Sequence, residues 1–165
     1  MKADKVYLVG FMGAGKTTVA RALARRLRWQ AVDVDEVIER REHETVSALF
    51  AKRGEAYFRA TERAVLLEQV PTPYVVATGG GTFVDPQNRA VINDSGVSVW
   101  LDVPLERLIA RVPVDGRRPL AADRAEFARL YQARQSAYAQ AHLRIDASRA
   151  SVQAIVEELV DWLEA

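Results

Sequence analysis

Residues 10–17, with the sequence GFMGAGKT, constrain the fold of this chain more than any other segment. They match the phosphate-loop pattern G-x-x-x-x-G-K-S/T at every fixed position. The segment follows a short apolar run, residues 6–9, and precedes residues 16–28, where apolar side chains recur at helical spacing. Glycines let such a loop curl its backbone N–H groups toward a phosphate, and the next helix adds its positive N-terminal end. The sequence therefore predicts a nucleotide-phosphate site, with Lys16 at the outer phosphates and the Thr17 hydroxyl on Mg²⁺.

Short apolar runs alternate with segments of helical spacing along the rest of the chain. The predicted strands are residues 6–9, 31–34, 74–77, 97–101 and 143–145. The predicted helices are residues 16–28, 35–52, 55–70, 86–93, 105–111, 123–141 and 151–163. The second of them could be two pieces, and the last is capped by Ser151. This alternation is typical of a parallel sheet that is covered on both faces and joined by right-handed crossovers. We therefore predict a single three-layer α/β domain over residues 1–165, with a five-stranded parallel sheet.

Composition argues against several other classes of function. Lys and Arg number 23 and Asp and Glu 22, so a net charge of +1 gives no reason to expect nucleic acid or a membrane surface as a partner. The absence of cysteine excludes disulfides and thiolate metal sites. No window approaches the ~18 consecutive apolar residues of a membrane span, and residues 1–8 lack the apolar stretch of a signal peptide. We expect a cytoplasmic monomer that binds neither nucleic acid nor membrane.

Residues that follow the other strands are candidates for the rest of the site, because ligands of such sheets bind at the carboxyl ends of the strands. Asp33 and Asp35 close the second predicted strand, where a spacing of two places both carboxylates on one face. One can hold Mg²⁺ and the other can orient a hydroxyl or accept its proton, although one could instead cap the next helix. The three glycines at 79–81 let a ligand approach the backbone, whose N–H groups can contact it; a plain turn is the alternative.

Arginines are the candidate ligands for anionic groups. Arg59 and Arg134 lie in predicted helices, where a solvated surface position is the plain alternative. Arg117 and Arg118 lie in residues 112–122, a segment rich in Pro, Gly and charge that we predict to be a mobile loop. Two guanidinium groups in such a loop suit capture of the transferring phosphoryl charge as the loop closes, although an ordinary charged loop would look the same.

The ordered set of these motifs resembles the shikimate kinase family over nearly the whole chain. Beyond the phosphate loop, the matching motifs are D-x-D at 33–35, F-R-x-x-E at 58–62, G-G-G at 79–81, R-P-L at 118–120 and R-x-x-x-Y at 134–138. This combination is much more specific than the phosphate loop alone, which many families share. The chain departs from the family at Glu42-His43, where a small T-G element is common, and this bears on the local turn between two helices.

The resemblance implies an ATP-dependent enzyme that phosphorylates the 3-hydroxyl of shikimate with Mg²⁺ as cofactor, in aromatic amino-acid biosynthesis. A related small-molecule kinase, such as one acting on gluconate, is the alternative within the same architecture. A nucleotide-dependent switch protein is the alternative from another class, but it leaves the aspartate pair and the predicted lid unexplained. An inactive relative is disfavoured because the residues expected to act on the phosphates and the acceptor are intact.

The resemblance also implies roles for individual residues. The shikimate site would contain Asp35, Arg59, Gly79, Gly80, Gly81 and Arg134. The ATP phosphates would be held by Gly13, Ala14, Gly15, Lys16, Thr17 and Thr18, with adenine flanked by Arg111 and Arg149. Mg²⁺ would be held by Thr17 and Asp33. The catalytic residues would be Lys16, Asp35 and the lid arginine Arg118, in a chain whose acceptor-binding helical region spans about residues 35–62 and whose lid spans about residues 112–122.

Overall fold

A computed structural model of the chain describes residues 1–68, 70–111 and 124–165. Five strands form one sheet: β1 (Lys5–Val9), β2 (Gln30–Asp33), β3 (Tyr74–Ala77), β4 (Val97–Asp102) and β5 (Leu143–Asp146). Their order in the sheet is β2-β3-β1-β4-β5, and every neighbouring pair is parallel. The predicted five-stranded parallel sheet is confirmed. The predicted lid, with Arg117 and Arg118, lies outside the described residues.

Seven helices and one short 3₁₀ turn, Thr82–Val84, connect these strands in the described part of the chain. The helices are α1 (Lys16–Leu27), α2 (Val34–Glu42), α3 (Val46–Leu67), α4 (Pro86–Ser95), α5 (Leu105–Arg111), α6 (Arg124–Tyr138) and α7 (Val152–Glu164). Their bounds agree with the predicted helices to within a few residues, except in three places. The first turn of α2 takes up Val34, which was predicted as strand. Residues 43–45 divide the predicted helix 35–52 into α2 and the first part of α3, so this segment is two pieces. α3 then continues into the predicted helix 55–70 across a break at Gly54, whose φ of 86° and ψ of 172° are not helical.

Side-chain caps explain where several helices begin. The predicted cap at Ser151 is confirmed, since its hydroxyl accepts the amide of Ala154 at 3.1 Å. Thr45 caps α3 in the same way, and Asp85 caps α4 ahead of a proline at the first helical position. Each cap satisfies a backbone donor that would otherwise have no partner inside the helix.

Burial shows that both faces of the sheet are covered. All four residues of β3 and the last four of β1 are buried. Because successive side chains of a strand point to opposite faces, a strand buried at every position must be packed on both sides. α1 packs against α7 and the central strands, while α4 packs against α3 and β4. Within the described ranges, the length and apolar character needed to cross a membrane are not combined in any helix.

Candidate active site

The phosphate loop leads from the central strand β1 directly into α1. Gly13 and Gly15 have φ values of 82° and 95°, which residues with a side chain rarely adopt, so the curl of the loop depends on glycine here. Gly15 immediately precedes α1 and offers no side chain to cap it. The N-terminal amides of α1 are therefore arranged as in an anion-binding site, in agreement with the sequence motif.

Lys16 is the buried cation of this loop. Its side chain folds back, and Nζ donates to the carbonyl oxygens of Gly10 at 2.5 Å and Phe11 at 3.0 Å. The residue is 8% exposed, so its charge acts in a region of reduced solvent screening. The ammonium is thus held against the carbonyls at the start of the phosphate loop.

Asp33 has the capping role that its sequence position left open, and it also bonds to the first turn of α1. It ends β2 and caps α2, since its Oδ1 accepts the amide of Glu36 at 3.1 Å. Its second oxygen, Oδ2, accepts the hydroxyl of Thr17 at 2.6 Å. The cap fixes the carboxylate in place, and the remaining oxygen joins it to the first turn of α1.

Asp35 lies in the site, but its backbone conformation differs from the predicted one. The spacing argument assumed an extended segment, but Val34 and Asp35 form the first turn of α2. The residue nevertheless lies beside the third strand, since a Cβ added to Gly79 would stand 2.8 Å from its Oδ1. Asp35 and the residues after β3 line the same cavity as the phosphate loop. This cavity has a volume of about 190 Å³, and its other lining residues include Asp33, Thr78, Gly79 and Gly80.

The environment of Asp35 raises the pKa of its carboxyl from 3.8 to about 6. Burial is the main cause, and the negative charges of Asp33 and Glu62 add to it, whereas the charge of Lys16 acts in the opposite direction. A carboxyl group with a pKa near neutrality exchanges protons readily at physiological pH, which is the property that a general base needs.

Two arginines flank the wall formed by the three glycines. Arg59, from α3, packs its guanidinium against Gly81, where a side chain would collide with it. Arg134, from α6, lies against the neighbouring residue, since a Cβ added to Gly80 would be 3.3 Å from its Nη1. The side chain of Arg59 is only 14% exposed, so it is not a solvated surface arginine. The structure therefore brings together both arginines and all three glycines.

Glu62 holds Arg59 in this position and was given no role from the sequence. Its carboxylate is fully buried, and Oε1 accepts from Arg59 Nη1 at 2.5 Å. Burial raises the pKa of Glu62, while Arg59 and Thr82 act to lower it. The i, i+3 spacing in F-R-x-x-E could have indicated this pair, because such residues are neighbours on a helix.

Tyr138 is a second residue whose function only the structure reveals. Its hydroxyl donates to the carbonyl of Gly80 at 2.6 Å, and burial raises its pKa to about 12. Phe11 connects the phosphate loop to the same helix, with its ring 5.1 Å from that of Phe127 and under the guanidinium of Arg134. α6 is thus attached to both the glycine wall and the phosphate loop.

The remaining predicted residues differ in how close they lie to this cavity. Arg111, at the end of α5, donates to the carbonyl of Gly13 at 2.9 Å and so borders the phosphate loop. Thr18 is exposed in the first turn of α1, and Arg149 is exposed three residues beyond β5. Arg118 lies outside the described residues. The amide of Gly79, which we expected to face a ligand, instead donates to Thr82 Oγ1 at 2.9 Å.

Comparison with known proteins gives a consistent result. A family model described as shikimate kinase matches residues 12–164. The shikimate kinase of Persephonella marina is 39% identical over 94% of this chain and 96% of its own length. The solved structure of shikimate kinase from Acinetobacter baumannii in complex with shikimate superposes with a TM-score of 0.89 at 34% identity, covering 98% of this chain and 93% of that one. Shikimate kinase from Aquifex aeolicus superposes with a TM-score of 0.81 at 32% identity, covering 97% and 96% of the two chains.

The family model covers far more than half of the chain, and the Persephonella marina relative covers 94% of it. The phosphate loop, the aspartate pair and two of the three glycines line one cavity at the carboxyl ends of β1, β2 and β3, and Arg59 and Arg134 lie against the glycines. This chain belongs to the shikimate kinase family and is an ATP-dependent kinase.

Proposed function

We propose that this chain transfers the γ-phosphoryl group of ATP to the 3-hydroxyl of shikimate, giving shikimate 3-phosphate and ADP, a step of aromatic amino-acid biosynthesis. The observation that carries the proposal is the convergence of Arg59 and Arg134 on the glycine wall beside the phosphate loop. Shikimate has one carboxylate and several hydroxyls on a compact ring, which matches two guanidinium groups behind the glycine wall and the carboxylate of Asp35 beside Gly79.

ATP would bind with its phosphates in the loop formed by residues 13–18. Lys16 would move from its carbonyl partners to the outer phosphates, which offer it a stronger, charge-assisted interaction. Arg111 borders the loop at Gly13 and would lie between the phosphates and the adenine. Arg149 would flank the adenine from the segment after β5.

Mg²⁺ would be held at the first turn of α1, by Thr17 and Asp33. The donor set fits this ion, because a hydroxyl and a carboxylate oxygen already lie 2.6 Å apart there. No group of three or more His, Cys, Asp or Glu that could hold a metal occurs among the described residues. Two protein ligands are enough for this ion, because Mg²⁺ in kinases keeps several waters and is otherwise bound by the substrate phosphates. When bound, the ion would neutralise charge on the phosphates.

The shikimate carboxylate would be clamped by Arg59 and Arg134. Arginine suits this task because its planar fork makes two parallel hydrogen bonds with a carboxylate. The glycine wall leaves room for the two guanidinium groups, since side chains at Gly80 or Gly81 would meet them. The acceptor ring would therefore lie with its carboxylate toward α3 and α6 and its hydroxyls toward Asp35.

Asp35 would orient the 3-hydroxyl and accept its proton as the oxygen attacks the γ-phosphorus. A pKa of about 6 leaves most of the carboxylate ionised at neutral pH while keeping it basic enough to take a proton. Little other covalent chemistry falls to the protein in phosphoryl transfer, so positioning and charge neutralisation carry the rest. The lid, residues 112–122 with Arg118, would add positive charge and exclude water from the reaction.

The test is the release of ADP from Mg-ATP with shikimate, with gluconate and with no acceptor. We expect shikimate alone to stimulate release. Arg134→Ala should raise the KM for shikimate at least about tenfold, because it removes charge-assisted hydrogen bonds. Arg129→Ala is the matched control, since that arginine is 70% exposed on the same helix and pairs with Glu126.

Two results would count against the proposal. If gluconate and not shikimate stimulates ADP release, the chain is a related small-molecule kinase with another acceptor. If neither acid does so while ATP still binds, a nucleotide-dependent switch protein becomes the better account.

A further inference from the structure

Thr82 connects the glycine wall to Glu62, the carboxylate that holds Arg59. It is fully buried at the start of the 3₁₀ turn that follows the glycines. Its hydroxyl accepts the amide of Gly79 at 2.9 Å and donates to Glu62 Oε2 at 2.6 Å. Its own amide donates to the carbonyl of Gly79 at 3.2 Å. A single side chain is therefore bonded both to the glycine wall and to the carboxylate behind Arg59.

One end of this chain of hydrogen bonds controls Arg59. Glu62 is fully buried, and its second oxygen, Oε1, accepts from Arg59 Nη1 at 2.5 Å and from Asn88 Nδ2 at 3.3 Å. A carboxylate can rotate about its terminal bond unless both oxygens are engaged. The hydroxyl of Thr82 engages the oxygen that Arg59 leaves, so it fixes the plane in which Glu62 meets the guanidinium.

The other end controls the distance between Gly79 and Asp35. Both backbone polar groups of Gly79 are bonded to Thr82, and the carboxylate of Asp35 packs against the Cα of this glycine. A shift of Gly79 would either collide with Asp35 or open a gap beside it. Thr82 thus stands between the residue proposed to take the proton and the residue proposed to hold the acceptor carboxylate.

We propose that Thr82 is a positioning residue for the acceptor, and that its hydroxyl sets the separation of Asp35 and Arg59 by bonding Gly79 and Glu62 at once. This inference rests on the proposed function. Only a hydroxyl supplies an acceptor and a donor from one atom, so serine can replace threonine here, whereas the isosteric valine cannot. Thr82 itself touches neither ATP nor acceptor in this scheme.

The experiment compares Thr82→Val with Thr82→Ser in the full chain, using steady-state kinetics with shikimate and ATP varied separately. For Thr82→Val we expect a rise of at least about tenfold in the KM for shikimate. The Gly79 amide and Glu62 Oε2 would lose their hydrogen-bond partner, so the glycine wall and Arg59 would be free to move. The KM for ATP should stay within about twofold, since the phosphate loop makes no bond to Thr82 in this network. Thr82→Ser should stay close to wild type in both constants. An equal change in both constants, or the same change for serine and valine, would overturn the proposal.

A second measurement separates this inference from the choice of acceptor. NMR of the ligand-free protein should show faster exchange of the Gly79 amide and shifted guanidinium signals of Arg59 in Thr82→Val, but not in Thr82→Ser. If wild type fails to phosphorylate shikimate while these signals change as expected, the proposed substrate is wrong and the positioning role stands. Unchanged signals would refute the positioning role. If Thr82→Val does not fold, Thr82→Ala removes the same hydroxyl with a smaller side chain and takes its place in both measurements.

Discussion

Among single residues, Asp35 is a catalytic candidate whose surroundings disfavour its own charge. It is largely enclosed, the charges of three carboxylates, Asp33, Glu62 and Glu39, act on it, and one buried ammonium, Lys16, offsets them only in part. Such an arrangement costs folding free energy and supplies a base tuned near neutral pH. Conflict of this kind between stability and chemistry is common where a side chain has a function.

Replacing Asp35 with asparagine should remove the base and leave nucleotide binding intact. We expect kcat with shikimate to fall by about 10²- to 10⁴-fold, the usual contribution of a positioned general base. The KM for ATP should change by less than about twofold, since the phosphate loop supplies those contacts. Steady-state kinetics with both substrates measure this directly. Near-normal turnover in Asp35→Asn would show that another group takes the proton or that none is needed.

The same substitution should stabilise the fold at neutral pH. With a folded pKa of about 6 against 3.8, the folded protein binds more protons than the unfolded chain between these values, so the free energy of unfolding falls as pH rises through them. This pKa shift corresponds to a loss of about 3 kcal/mol in the free energy of unfolding at neutral pH. The expected gain for Asp35→Asn is smaller, about 1–2 kcal/mol, because Asp35 is partly exposed and because its charge is favourable at the N-terminus of α2. Urea unfolding should show this gain for Asp35→Asn above pH 6 and none below pH 4.

Asp85→Asn is the control, because its expected change in the free energy of unfolding has the opposite sign. Burial acts to raise the pKa of Asp85, but hydrogen bonds from the amides of Asn88 and Gln87 and the charge of Arg63 hold it below its ordinary value. Its charge therefore stabilises the fold at neutral pH, and that contribution is lost as the pH falls. Asp85→Asn should be less stable than wild type at pH 7. A gain for both variants, or for neither, would contradict the account of Asp35.

For single residues, the sequence identified members of the site more reliably than it predicted the contacts between them. Asp35 was identified by its spacing from Asp33, yet the strand geometry behind that inference was wrong, because the helix begins one residue earlier than predicted. Thr82 gave no signal, since a lone threonine after three glycines has no periodicity or motif of its own. Its role depends on Glu62, 20 positions earlier, and such pairings form only in the folded chain.

Among the elements, α3 has the feature that most affects the acceptor side. Its two halves meet at Gly54, with φ 86° and ψ 172°, a region that only glycine occupies without strain. The break sets the direction of the second half, which carries Phe58 into the core and Arg59 to the glycine wall.

Gly54→Ala should therefore affect both stability and acceptor binding. A Cβ at this position meets no neighbouring atom, so any effect comes from the backbone alone. We expect a loss of about 1–3 kcal/mol in the free energy of unfolding and a higher KM for shikimate. Chemical unfolding and kinetics measure the two effects. Ala56→Ser, on the exposed surface of the same helix, is the control and should change stability by less than about 0.5 kcal/mol. Wild-type stability in Gly54→Ala would show that the break is not required.

Local patterns predicted the elements well because they arise from neighbouring residues. All five strands lie within one or two residues of their predicted bounds, since short apolar runs between turns have few other solutions. The break in α3 was anticipated only as a boundary between two helices. The packing of Phe11 on α6, with Arg134 above it, joins elements more than 100 residues apart, and no periodicity reports such a contact.

At the scale of the whole molecule, the order of the strands explains why the site forms where it does. β1 lies between β3 and β4, so the phosphate loop leaves the middle of the sheet, with the glycine wall on one side and α5 on the other. The alternation of elements predicted a parallel sheet but not this order, which is set by which surfaces pack together. The extent of the domain over residues 1–165, the monomeric state and the cytoplasmic location stay predictions from the sequence.

The identity of the phosphorylated product tests the central claim most directly. Wild-type protein would be incubated with Mg-ATP and shikimate, and the product examined by phosphorus–proton correlation NMR. We predict a single new phosphate ester whose phosphorus couples to the proton on carbon 3 of the ring, formed in equal amount with ADP. An ester at another hydroxyl, or ADP formed with shikimate unchanged, would contradict the proposed acceptor and the placement of Asp35 beside its 3-hydroxyl.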